Sequence, residues 1–173
     1  MIGIVGTIII FGGLIWIARP EPGERLDGVN ASVNSAIGSD SLAGGEEALT
    51  VAEANNYDFG TISMAAGEVT HQFKIKNTSS NAVTINKMYT SCMCTTATLM
   101  MNNKQFGPYG MPGHGATPKI GQTVDPDEEV NIEVVFDPAA HGPAGVGRIQ
   151  RTVTIENNIG QPIELQFAAV VTP

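Results

Sequence analysis

From about residue 51 to residue 173, apolar and polar side chains alternate with a period of two, and that period excludes most folds. In residues 68–76, Val69, His71, Phe73 and Ile75 fall on one face, with Thr70, Gln72, Lys74 and Lys76 on the other. Successive strand side chains point to opposite sides of a sheet, so such a segment buries one face and wets the other. Val130, Ile132, Val134 and Phe136 repeat the pattern, as do Ile149, Val153 and Ile155, and then Ile163, Leu165, Phe167, Ala169 and Val171. Val83 and Ile85 point inward before the pattern shifts around Met88, as a bulge makes it do. Turn signals separate these runs: residues 77–81, Asp125-Pro126-Asp127, Asp137-Pro138 and Asn157-Asn158-Ile159-Gly160. The 20 glycines and 10 prolines favour turns and strands over long helices. The pattern predicts an all-β antiparallel sandwich of about seven strands.

The N-terminal region reads differently. Residues 1–18 carry no charge, and as a helix they span roughly 27 Å at about 1.5 Å per residue, enough for a bilayer core. Trp16 sits near one end and Arg19-Pro20 closes the run. No basic segment precedes it and no small-x-small cleavage pattern follows Ile17, so it reads as an uncleaved anchor rather than a signal peptide. Taken alone, Arg19 places the following loop weakly in the cytoplasm. Residues 19–50, rich in Gly, Ser, Asn, Ala and Glu, read as a flexible tether. The expected organisation is a transmembrane anchor (1–18), a linker (19–50) and a sandwich (51–173) with a long Met/Gly-rich loop at 96–123.

The net charge of −8 and pI near 4.7 disfavour binding to nucleic acid. Two cysteines are too few for a multi-disulfide miniprotein or a four-cysteine metal site. Asn30-Ala31-Ser32 and Asn77-Thr78-Ser79 match the glycosylation sequon, a short and common pattern.

Several segments together resemble a known family. Tyr57-Asp58-Phe59-Gly60-Thr61-Ile62 opens the domain. Phe73-Lys74-Ile75-Lys76-Asn77, Val83-Thr84-Ile85, Ser91-Cys92-Met93-Cys94-Thr95 and Phe136-Asp137-Pro138 follow in order. The set resembles an uncharacterised bacterial domain-of-unknown-function family with a Ser-Cys-Gly-Cys-Thr segment. The resemblance covers about residues 55–173. It implies an immunoglobulin-like (Ig-like) sandwich related to Hydin-type and PapD-like domains, exported or membrane-anchored, and it brings no catalytic residues. Met93 stands where the family carries Gly, and the stretch 96–123 is longer than the family's connection. The implied location puts the sandwich outside the cytoplasm, against the weak charge signal.

Chemistry concentrates around Cys92 and Cys94. At i, i+2 on a strand both thiols share a face, where they can bind one soft metal ion, form a disulfide, or pack as small buried hydrophobes. Five of the seven methionines lie between Met88 and Met111, and Met111 and His114 stand three residues apart in a glycine-rich loop. Thiolate, thioether and imidazole together suit Cu(I); Zn²⁺ is the weaker match because the spacing fits no common zinc pattern. The candidate ligands, in order, are Cys92 and Cys94, then His114 and Met111, then His141. His71, on the inward face, reads as a partly buried structural residue. No nucleophile elbow, P-loop, zincin or dinucleotide motif is present, and the acidic run Asp125–Glu129 reads as a solvated turn.

These features predict a non-catalytic, membrane-anchored extracytoplasmic binding or scaffolding module with a protein partner at the cell envelope. The partner is met at an edge strand or through the 96–123 loop. Copper(I) binding through Cys92, Cys94, Met111 and His114 is the second reading. Thiol–disulfide cycling of Cys92 and Cys94 is the third.

Overall fold

The computed structural model describes residues 48–114 and 117–173. The expected transmembrane anchor and all but the last three residues of the expected linker lie outside the described residues. Among the described residues, no helix is long and apolar enough to cross a membrane.

Two five-stranded sheets face each other. The first has the order β1 (Leu49–Val51), β3 (Val69–Asn77), β8 (Glu129–Phe136), β5 (Thr95–Met101), β6 (Lys104–Tyr109). The second has the order β2 (Asn56–Ser63), β10 (Ile163–Thr172), β9 (Gly147–Asn157), β4 (Val83–Thr90), β7 (Gln122–Val124). All pairings are antiparallel except β2 with β10, which is parallel. The sandwich is therefore as the alternation predicts, but with ten strands rather than about seven.

The extra strands have physical reasons. β1, β2 and β7 lie at sheet edges, and an edge strand needs no clean alternation because little of it is buried; β2 is mostly exposed along its length. The expected loop at 96–123 is instead a hairpin followed by a shorter loop. Ala97 and Leu99 are fully buried on β5, and Asn102 and Asn103 both hold positive φ (50° and 60°). That is the backbone of a tight two-residue hairpin turn, which asparagine tolerates.

The inward positions of both sheets build one core. Ile75, Val83, Ile85, Leu99, Ile132, Val134, Val153, Ile155 and Leu165 have no exposed surface. Each such side chain contributes roughly 1.5–3 kcal/mol by leaving water. The shift expected near Met88 is present as a break in register between Ile85 and Lys87. It turns Met88 into the core, and the carbonyl of Asn86 at the break accepts a hydrogen bond from the Ile120 N–H, 2.9 Å away.

Aromatic rings close one flank. His71 stacks on Tyr57 with ring centroids 3.6 Å apart, and Phe59 meets Phe167 edge-on at 5.5 Å. Burial holds the His71 imidazole below its ordinary pKa, with Glu53 pulling weakly the other way. Asn77 is fully buried. Its amide donates to the carbonyls of Asn81 (2.8 Å) and Val124 (2.9 Å), and its oxygen accepts from the Ser79 N–H (3.0 Å) and hydroxyl (2.8 Å). The sequon at Asn77 is therefore an internal clamp in the folded domain.

Candidate functional site

Cys92 and Cys94 do not lie on a strand, as their spacing first suggests. They occupy the four-residue turn between β4 and β5, where the chain leaves one sheet for the other. Hydrogen bonds from the flanking residues set this turn. The Thr90 hydroxyl donates to the carbonyls of Cys92 (2.9 Å) and Thr95 (3.0 Å), and the Thr95 N–H donates to the Cys92 carbonyl (3.2 Å). Ser91 is tied to β9 by a reciprocal pair: its N–H donates to the Thr152 carbonyl and its hydroxyl accepts from the Thr152 N–H, both at 2.9 Å. Ser91 of the Ser-Cys-x-Cys-Thr segment and Thr90 just before it thus shape the loop that presents the sulfurs. Cys92 and Cys94 form a disulfide, and both are buried.

A second element comes from the other side. After β8, the Asp137 carboxylate accepts from the Ala139 N–H at 2.8 Å, and the Gly142 N–H donates to the Ala139 carbonyl at 2.8 Å. The turn leads into a short 3-10 segment (Gly142–Gly145), and the Asp137 N–H donates to the Cys94 carbonyl at 2.9 Å. This folding places His141 Nε2 3.1 Å from Cys92 Sγ. Gly145 permits the packing, since a Cβ there would stand 3.2 Å from His141 Cβ.

The third element is Arg151 on β9. It falls on the inward face between Ile149 and Val153, where the pattern calls for an apolar residue. Its Nε donates to Cys94 Sγ at 3.4 Å and its Nη1 to the Gln150 carbonyl at 2.8 Å. Each sulfur therefore has its own nitrogen partner, and Cys92 Sγ also accepts from the Cys94 N–H at 3.2 Å.

Beside this centre lies an open cavity of about 340 Å³, lined by His141, Gly145, Val146, Arg148, Ile149 and Arg151 among others. Arg148 and Arg151 are the only arginines among the described residues. Among the described residues, neither has a carboxylate within ion-pair distance; the ion pairs there are Lys74–Glu129 and Lys76–Asp127. In an acidic chain, two arginines with no ion pair among the described residues give this cavity a locally cationic wall, with His141 beside them.

The predicted ligands separate on this map. Cys92, Cys94 and His141 place their ligand atoms within 4.8 Å of one another. His114, ranked above His141 from the sequence, is exposed in a turn where its N–H donates to the Met111 carbonyl at 3.2 Å, and it is not part of that group. The methionines also disperse: Met88 is in the core, Met93 is 52% exposed, and Met100 and Met101 end β5. Arg151 was absent from the sequence prediction. Its signal was available: a charged residue at an inward position of an otherwise apolar strand face.

The fold and this end of it define an Ig-like sandwich with a disulfide-bonded Ser-Cys-x-Cys-Thr turn. Residues 50–108 match the family model described as a protein of unknown function (DUF1573), in agreement with the resemblance carried by the sequence motifs. Among solved structures, the fold is similar to a protein of unknown function from Porphyromonas gingivalis W83 at TM-score 0.52 and 12% identity, covering 70% of this chain and 46% of that one. Weaker likenesses include the YadV chaperone (TM-score 0.47, 6% identity, 73% of this chain and 53% of that one). Another is the VesB protease of Vibrio cholerae (TM-score 0.46, 13% identity, 72% and 32%). The chain thus spans about half or less of the length of these three. No curated protein matches the sequence.

Proposed function

We propose that this chain is a non-catalytic binding module of the cell envelope, anchored by residues 1–18, with the sandwich outside the cytoplasm. We assign its recognition surface to the disulfide-bearing end of the sandwich. The observation that carries this reading is the cavity lined by Arg148, Arg151 and His141, where neither arginine has an acidic partner among the described residues. Such a surface is complementary to a carboxylate-rich segment of a partner protein, and charge pairing across an interface steers encounter and fixes register. The disulfide supports the extracytoplasmic placement, since such bonds persist in oxidising compartments.

Strand addition at an edge is the weaker mode. β1 and β7 are three residues long, and β6 carries Pro108, which has no N–H to donate. β2 is longer, but Gly60 interrupts it with φ 68°, and its pairing with β10 shifts register there. Short or kinked edges resist pairing with another strand.

The test places a photo-crosslinking residue at Val146, on the cavity rim, or at Ile159, beyond the other end of β9, in the full chain in spheroplasts. The expected result is a discrete adduct from position 146, none from position 159, and loss of the adduct on adding protease outside. Equal adducts from both positions, or an adduct that outside protease cannot reach, would overturn the reading.

A further inference from the structure

We infer that the reduced Cys92–Cys94 pair and His141 form a Cu(I) site that the disulfide closes and reduction opens. The inference does not rest on the binding role proposed above, although it uses His141 and Arg151 of the same cavity. Three observations carry it. With the disulfide closed, the two sulfurs and an imidazole nitrogen lie within 4.8 Å of one another, so once the S–S bond is broken a small parting of the sulfurs admits three bonds of about 2.0–2.3 Å to one ion. His141 Nε2 already faces Cys92 Sγ at 3.1 Å, so the third ligand needs no large movement. Arg151 Nε stands 3.4 Å from Cys94 Sγ and supplies one positive charge to the centre.

Charge and softness select the ion. Two thiolates and Cu(I) carry a net charge of −1, which the Arg151 guanidinium offsets. Two thiolates and Zn²⁺ are neutral, leaving Arg151 uncompensated and a fourth tetrahedral position unfilled. Thiolates also prefer soft Cu(I), which tolerates low coordination numbers.

Loading takes two steps. A dithiol reductant gives up two electrons and two protons and becomes a disulfide; the Cys92–Cys94 bond breaks and two thiols form. Cu(I) then displaces both thiol protons into solvent as two Cu–S bonds and one Cu–N bond form, with no change in its oxidation state. Oxidation of the pair and metal binding are mutually exclusive, so the redox state of the compartment sets the occupancy.

The test uses the full chain in mild detergent without oxygen, as the disulfide and after phosphine reduction. Each form is titrated with Cu(I) against a competing Cu(I) chelator and weighed by native mass spectrometry. The expected result is one copper on the reduced chain and none on the oxidised chain. Loss of an outer partner costs a metal site roughly 10–100-fold in affinity. Arg151→Gln should fall in that range, while Cys92→Ser, Cys94→Ser and His141→Ala should lose at least as much. Met111→Ala and His114→Ala should bind as the parent does. Since Cys92 and Cys94 are buried, exposed His141 decides the case where a cysteine variant misfolds. Copper on the oxidised chain, no copper on the reduced chain, or a greater loss from His114→Ala than from His141→Ala would each overturn the inference.

Discussion

Phe167→Ala is expected to destabilise the domain by about 3–5 kcal/mol, the range for removing a buried aromatic ring. Phe167 is 1% exposed on β10 and contacts Phe59 edge-on at 5.5 Å and Phe136 at 5.3 Å. Its ring joins residues from both sheets, because Phe59 lies on β2 and Phe136 on β8. Truncation leaves a cavity that the two sheets cannot close without shifting strands. Total stability for a domain is about 5–15 kcal/mol, so about a fifth or more of it is at stake. Denaturant unfolding should show the midpoint falling with the slope unchanged. A loss below about 1 kcal/mol would mean that the flank repacks and the ring is not a central contact.

Asn77→Ala is expected to cost about 3 kcal/mol for a different reason. The side chain makes four hydrogen bonds in a site with no exposed surface. The two bonds donated by the amide contribute about 1 kcal/mol each, and a buried carbonyl that loses its donor costs about 1 kcal/mol more. The Val124 carbonyl is the buried acceptor that loses this donor. Asn77→Asp separates hydrogen bonding from volume. It keeps the shape, but it replaces the amide donor with an acceptor facing the carbonyls of Asn81 and Val124. The account predicts that Asp is at least as damaging as Ala in the same unfolding measurement. An aspartate variant near parental stability would show that the site needs bulk rather than donors.

The sandwich was legible because a buried strand writes its inward face into the sequence. β3, β8 and β10 could be traced through Phe73, Val134 and Leu165, and the bulge through the break before Met88. The edge strands were not, because β2 is exposed and β1 and β7 are only three residues long. The β5–β6 hairpin was hidden by composition: its methionines and glycines drew attention away from the alternation of Ala97 and Leu99. The asparagines at 102 and 103 carried the turn signal.

The site was half legible for a related reason. Cys92 and Cys94 are neighbours in sequence, so their meeting needed no tertiary information. The partner histidine did. His114 looked the better candidate because its glycine-rich loop could turn toward the sulfurs. The position of His141 depends on the turn after Asp137 and on how β8 packs beside the β4–β5 connection, which no local pattern reveals. Arg151 was visible only as an exception to the strand it sits on. The pairing of each sulfur with one nitrogen is a property of the crossover between the two sheets.

The central claim is that a partner's acidic segment is held at the cavity shared by Arg148, Arg151 and His141. Arg148 is exposed and is not among the hydrogen-bond partners of the cysteine sulfurs, so its charge can be reversed without disturbing the disulfide. The most direct measurement repeats the crosslink from position 146 in spheroplasts with Arg148→Glu, alongside an oligoglutamate competitor added to the parent. The account predicts that charge reversal removes most of the adduct and that oligoglutamate, but not oligoglutamine, suppresses it in the parent. An adduct that survives both the reversed charge and the acidic competitor would contradict it.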